Sequence, residues 1–204
     1  MSITLHYGDI PADLDFGDSV AVDSETMGLN PLRDRLCVVQ LSSGDGTSHI
    51  VHFNEGIYEA PNLKKLMADP KVTKLFHFGR FDIAVMWAYL GVLTAPVYCT
   101  KIASKLVRTF TNHHGLKALC SDLIRVDLSK QQQSSYWGAE ELTEKQLEYA
   151  ASDVLYLHQL RKKLDEMLER EGRTEVAQAC FDFLPHRAVL DIAGWQDEDI
   201  FAHH

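Results

Sequence analysis

The sequence predicts an α/β fold on a mixed β-sheet, and three features of the chain carry that expectation. Short β-rich runs crowd the first quarter, helical periodicity dominates the second half, and between them strand and helix signals alternate. A meander followed by α/β alternation predicts a sheet that is antiparallel on one side and parallel on the other.

Ile3–Tyr7 alternates apolar and polar residues, Ser19–Asp23 and Leu36–Leu41 are β-rich, and Ser48–Phe53 is a fourth run. Ser42-Ser43-Gly44-Asp45-Gly46 reads as a hairpin turn and Asn30-Pro31 as the turn before it, so runs two to four are expected as an antiparallel meander. Asn62–Met67 follows Pro61, which suits a first helical turn. Lys74–Phe78 predicts a short strand, and Asp82–Leu90, apolar on nearly every side, a buried helix stopped by Gly91. Thr100–Arg108 and Leu116–Leu123 are amphipathic. The spacing then predicts one long helix from about Thr143 to Glu169, opened by the capping box Thr143-x-x-Gln146. A further helix at Thr174–Phe183 is expected to end at Pro185. The tail from Leu184 to Ala202 carries Leu190, Ile192, Trp195, Ile200 and Phe201, apolar residues that need a surface to bury against.

At roughly 150 residues per domain, 204 residues predict a single domain over 1–204. The 20 basic and 29 acidic side chains leave a net charge of −9. That argues against a passive nucleic-acid coat protein, which binds through basic surface, but not against an enzyme that carries its positive charge as metal. The longest apolar run, Ile83 to Leu93, is 11 residues, short of the roughly 20 that span a bilayer. The first residues lack a basic and then apolar leader, and Cys37, Cys99, Cys120 and Cys180 form no C-x-x-C pair. A cytoplasmic protein with reduced thiols and no membrane contact is the expectation.

Asp23 and Glu25 stand two apart at the end of a β-rich run, so strand periodicity puts both on one face. Such a pair also occurs in ordinary polar loops. Asp82 lies where the strand at Lys74–Phe78 turns into an apolar helix, a place that equally suits a simple N-terminal cap. Tyr149 and Asp153 are four apart on a helix and share its core-facing stripe, where an aspartate needs a partner or a metal. Taken together, D-x-E on a strand, D at a strand-to-helix junction and Y-x-x-x-D on a late helix describe four carboxylates converging. Two divalent cations, Mg²⁺ or Mn²⁺, would neutralise that charge and leave positions open to a phosphate.

The segments Val22-Asp23-Ser24-Glu25-Thr26-Met27-Gly28-Leu29-Asn30-Pro31, His77-Phe78-Gly79-Arg80-Phe81-Asp82 and Tyr149-Ala150-Ala151-Ser152-Asp153 resemble the three motifs of the DEDD 3′–5′ exonucleases, in the branch with a tyrosine in the third. Cys37–Ser42, Thr100–Ser104 and Leu116–Leu119 are similar to ribonuclease D, over roughly residues 18–165. Lys130–Ser135, Cys180–Pro185 and Ile200–His203 extend the likeness to the short nanoRNase C group, which lacks ribonuclease D's C-terminal helical domains. Phe78 and Ser135-Tyr136-Trp137 depart from the pattern common in ribonuclease D, away from the carboxylates.

The resemblance implies a ribonuclease-H-like fold and 3′–5′ hydrolysis of very short RNA, especially dinucleotides such as pGpG, the linear product of cyclic di-GMP breakdown. Nucleoside 5′-monophosphates are the implied products. Asp23, Glu25, Asp82 and Asp153 are implied as ligands of two metal ions, and Tyr149 as the residue that orients the attacking water. Leu29 is implied as a wedge between the last two bases, where packing under a turn is the plain alternative. Thr26 and Met27 would face the terminal ribose, and His77 and Phe81 the cleaved nucleotide. Lys130 and Ser134, in a polar loop, are candidates to hold a 5′-phosphate. The group also implies a homo-oligomer, an octameric ring. The alternatives are a general exonuclease on longer RNA or DNA and, from another class, a pseudo-nuclease that only binds RNA; the latter loses carboxylates that this chain keeps.

Overall fold

The computed structural model describes residues 2–54, 56–129, 132 and 134–203. Six strands form one sheet: β1 (Ser2–Tyr7), β2 (Ser19–Thr26), β3 (Leu36–Ser42), β4 (Thr47–His52), β5 (Thr73–Phe76) and β6 (Val97–Cys99), in the order β1-β4-β3-β2-β5-β6. The expected meander is present: β2 pairs antiparallel with β3, and β3 with β4. β5 and β6 add in parallel beyond β2, and β1 pairs in parallel with β4. The strand β2 is therefore the hinge between the two pairing modes, and the carboxyl ends of β2, β5 and β6 open onto one side. In open α/β sheets ligand sites form at such ends.

The helices are α1 (Pro61–Ala68), α2 (Gly79–Val85), α3 (Thr100–Val107), α4 (Leu116–Leu119), α5 (Glu144–Leu155), α6 (Leu157–Arg170) and α7 (Thr174–Leu190). Single wider turns extend α2 through Met86–Leu90, α4 through Cys120–Ile124 and α7 through Asp191–Trp195. Gly91 ends the first of these with φ 66°, the left-handed stop its position predicts.

Two expectations about helices are corrected. The long helix over 143–169 is two helices broken at Tyr156, whose φ of −107° and ψ of −2° leave the helical ladder. The break follows a change of partner: α5 packs on β2, β3 and β4, whereas α6 packs on α3 and the turn after α4. Pro185 does not end the last helix either; α7 runs through it to Leu190. The bond lost to the proline is offset by packing, because Phe181, Leu184, Pro185 and Ala188 are all buried.

The capping box at the start of α5 forms as expected. The Thr143 hydroxyl accepts from the Gln146 amide at 3.3 Å, and the Gln146 side chain accepts from the Thr143 amide at 3.0 Å. Gln146 also donates to the Tyr136 carbonyl at 3.3 Å, which ties the preceding loop to the helix. One face of the sheet and this helix enclose Cys37, Val38, Ile50, Trp137 and Ala150, while the larger core lies with the remaining helices.

Lys74 of β5 is fully buried and donates to the carbonyls of Asp69, Val72 and Ala95 at 2.8, 2.7 and 2.5 Å. A buried cation held by three acceptors ties the loop before β5 to the one before β6. Lys74→Met should strand those carbonyls and lower stability by about 2–3 kcal/mol, partly offset by the relieved desolvation of the ammonium. Thermal unfolding should show a melting point lower by roughly 5–10 °C; an unchanged midpoint would show that the ammonium contributes nothing.

Candidate active site

Three elements bring the predicted carboxylates to one cleft of about 710 Å³ at the carboxyl ends of the parallel strands. Asp23 and Glu25 project from β2 on the same face, as strand alternation requires, and meet Asp153 of α5; carboxylate oxygens of the three lie within 4.8 Å of one another. Asp82 stands in the first turn of α2, buried, and accepts a hydrogen bond from the Ser24 hydroxyl at 2.6 Å. Tyr149 lies one turn before Asp153 on α5, its hydroxyl bonded to that carboxylate.

This clustering works against ionisation. Burial, followed by Asp153 and Asp82, pushes Glu25 up to about 9. Burial raises Asp82 to about 7 although Ser24 pulls the other way, and raises Asp153 to about 7 against the bond from Tyr149. Asp23 is raised well above the carboxylate range by burial, then by Asp82, Asp153 and Glu25. The donor set, hard carboxylate oxygens converging on one point, fits an oxygen-preferring divalent ion.

The strand end is shaped for access. The register of β2 on β3 shifts between Glu25 and Thr26, and such a bulge re-aims the side chains that follow. The Thr26 hydroxyl donates to the Gly28 carbonyl. A Cβ at Gly28 would collide with the Asp34 carboxylate, which also accepts from the Asn30 amide at 3.0 Å, so the turn closes only around glycine. At its tip Leu29 is 88% exposed. The alternative in which Leu29 packs under the turn is thereby removed.

Thr26, Met27, Leu29, His77, Phe81 and Ser134 all line the cleft with the carboxylates and Tyr149. Lys130 lies outside the described residues. His77 Nδ1 is 2.8 Å from the Thr100 hydroxyl, which donates its own proton to the Phe76 carbonyl at 3.2 Å. Burial and then Lys101 hold His77 down to about 3, so the ring is neutral. Phe81 is half-buried and packs on the main core as well as lining the cleft.

Other lining residues fall in the quoted segments but are given no role there. Ser24 sits inside the first motif, and the D-S-E alternation points it away from Asp23 and Glu25, toward Asp82. Phe78, Lys101, Lys117 and Trp137 come from separate parts of the chain and signal nothing by spacing. The two lysines supply the positive charge that the composition concealed. Arg80, inside the second motif, is committed elsewhere: it donates to Asp191 at 2.5 and 2.8 Å and to the Gln196 carbonyl at 2.6 Å, tying the C-terminal segment to α2. His114 Nδ1 lies 2.9 Å from the Ser104 hydroxyl, a plain structural contact.

The 3′–5′ exonuclease family profile matches residues 9–169. Ribonuclease D of Acidiphilium cryptum is 36% identical over 156 residues, 76% of this chain and 39% of that protein. The chain thus spans about two fifths of the length of the curated relatives it matches. NrnC of Brucella melitensis with bound Mg²⁺ superposes with a TM-score of 0.96 at 56% identity over the full length of both chains. The same protein bound to pGG gives 0.97 at 57% identity, again over both full lengths. Escherichia coli RNase D, an exoribonuclease involved in structured RNA processing, gives 0.73 at 26% identity over 84% of this chain and 45% of that one. The chain belongs to the 3′–5′ exonuclease family, in the group that holds ribonuclease D and Brucella NrnC.

Proposed function

We propose that this chain is a metal-dependent 3′–5′ exoribonuclease acting on very short RNA, diribonucleotides foremost, and releasing nucleoside 5′-monophosphates. The observation that carries the reading is the convergence of Asp23, Glu25, Asp82 and Asp153, all held above their ordinary proton affinities in one cleft. The dinucleotide assignment is supported by the full-length likeness to a protein solved with pGG.

The four carboxylates would hold two divalent ions, which supply charge neutralisation at the scissile phosphate and a lowered pKa for the attacking water. Tyr149, its hydroxyl proton held more tightly than in a free phenol by burial and by Asp153, is no general base at neutral pH. It instead directs the water through a hydrogen bond. Ser24 holds Asp82 in its rotamer, and neutral His77 presents Nε2 to the substrate. Thr26 and Met27 take the terminal ribose, Leu29 parts the two bases, and Ser134 with Lys130 takes the 5′-phosphate. Trp195, Ile200 and Phe201, all more than two fifths exposed, suit burial between copies of the chain in a homo-oligomer. A cytoplasmic setting suits the four free thiols.

Alanine at Asp23, Glu25, Asp82 or Asp153 should abolish turnover of pGpG with Mg²⁺ while circular dichroism stays native. Near-normal turnover in any of them would remove that residue from the metal shell. For Tyr149→Phe, kcat should fall by roughly one to three decades with little change in KM; a raised KM at unchanged kcat would make the tyrosine a binding residue.

A carboxyl with a raised folded-state pKa binds protons more tightly folded than unfolded, so its folded state loses ground as pH rises. In chelator, calorimetry should therefore show stability falling from pH 5 to pH 9, the window set by ordinary carboxylate values below and about 9 for Glu25 above. Saturating Mg²⁺ should flatten that slope, and Asp23→Asn should weaken both effects. A chelated protein equally stable at pH 5 and pH 8 would contradict the raised proton affinities of the cluster, and a slope that saturating Mg²⁺ leaves unchanged would contradict the metal assignment independently of activity.

A further inference from the structure

Arg80 stands two residues before Asp82 on α2 and takes no part in the carboxylate chemistry. A helix turns about 100° per residue, so the two side chains leave α2 on opposite sides, roughly 200° apart. On the cleft side, Asp82 accepts the Ser24 hydroxyl of β2 at 2.6 Å. On the other, Nε and Nη2 of Arg80 donate to the two carboxylate oxygens of Asp191 at 2.5 and 2.8 Å, and Nη2 also to the Gln196 carbonyl at 2.6 Å. Asp191 is buried and takes a further bond from Nη2 of Arg187 at 2.9 Å. Arg187 in turn donates to the carbonyls of Trp195 and Glu198 at 2.5 and 3.2 Å. Two arginines, one from each of the packed helices α2 and α7, thus close on one buried carboxylate and on the backbone just after it.

This clasp sits where α2 needs it. The helix is seven residues long before its wider turn, and among the described residues no side chain caps its start. Ser24 fixes the Asp82 oxygen from the front, but one hydrogen bond does not stop the helix from shifting as a body. The Arg80 fork holds it from behind, because two parallel N–H bonds to a carboxylate set direction as well as distance, which an ammonium does not. We infer that Arg80, held by Asp191, is a positioning residue for Asp82, so that the segment after α7 contributes to metal affinity while supplying no ligand. Contacts one step behind a ligand orient it, and their loss is felt in how tightly the metal is held. The inference rests on the metal-dependent reading above.

The test is calorimetric titration of the full chain with Mn²⁺ in the absence of substrate, beside turnover of pGpG at rising Mg²⁺. Arg80→Lys and Asp191→Asn should each weaken Mn²⁺ binding about tenfold and raise the Mg²⁺ needed for half-maximal turnover to match, with KM for pGpG at saturating Mg²⁺ unchanged. The double variant should lose little more than either single one, because both changes open the same clasp. On an Asp82→Asn background, where Asp23, Glu25 and Asp153 still offer a site, Arg80→Lys should not weaken Mn²⁺ further. Lys74→Met, which acts on the loops before β5 and β6, should lower the melting point and leave Mn²⁺ affinity as it was. Unchanged Mn²⁺ affinity in the clasp variants, an equal loss in Lys74→Met, or a further loss on the Asp82→Asn background would overturn the positioning role. A raised KM at unchanged metal affinity would overturn it too and make Arg80 a substrate contact. Failure of the unmodified chain to bind Mn²⁺ would instead overturn the metal-dependent reading itself.

Discussion

Like charge converging in one cleft is the constraint on which the rest of this structure depends. Asp23, Glu25, Asp82 and Asp153 come from β2, α2 and α5; burial makes all four hard to ionise, and their neighbours' charge adds to it at Asp23, Glu25 and Asp153. Such an arrangement persists only if the backbone around it is held rigidly enough that the carboxylates cannot swing apart. The central position of β2, paired on both sides, provides that rigidity for the first two. The buried start of α2 provides it for Asp82, and Ser24 fixes its oxygen from the strand next door.

The supporting contacts run outward from there. The capping box of α5 orients the helix that carries Tyr149 and Asp153, and its glutamine also holds the loop leading to Trp137. Trp137 in turn tilts against the Tyr149 ring, centroids 6.2 Å apart. Arg35 donates to the Phe53 and Gly138 carbonyls at 2.9 and 3.2 Å, bracing the wall that Met27 packs against. On the other side Arg80 binds the C-terminal segment through Asp191, which Arg187 also reaches at 2.9 Å. The segment after α7 is thereby linked to the same helix that presents Asp82.

Charge is distributed unevenly over this frame. The chain as a whole is acidic, yet Lys101 and Lys117 line the same cleft as the carboxylates. A net charge is a property of the whole surface and says little about a cleft, where low dielectric and convergence make a few groups decisive.

The sequence alone determined the α/β class, the antiparallel meander, the capping box and the catalytic candidates, because these are written in local periodicity and in short spacings that backbone geometry translates directly. D-x-E on a strand and Y-x-x-x-D on a helix place side chains together whatever the rest of the chain does. Only the tertiary structure decided where α5 ends and α6 begins, since Tyr156 marks a change of packing surface rather than a local breaker. It also carried α7 through Pro185, where burial outweighed a missing hydrogen bond. The partners Ser24–Asp82, His77–Thr100 and Phe78–Lys101 are 58, 23 and 23 residues apart, and contacts of that range follow from strand order and register, which no local pattern specifies.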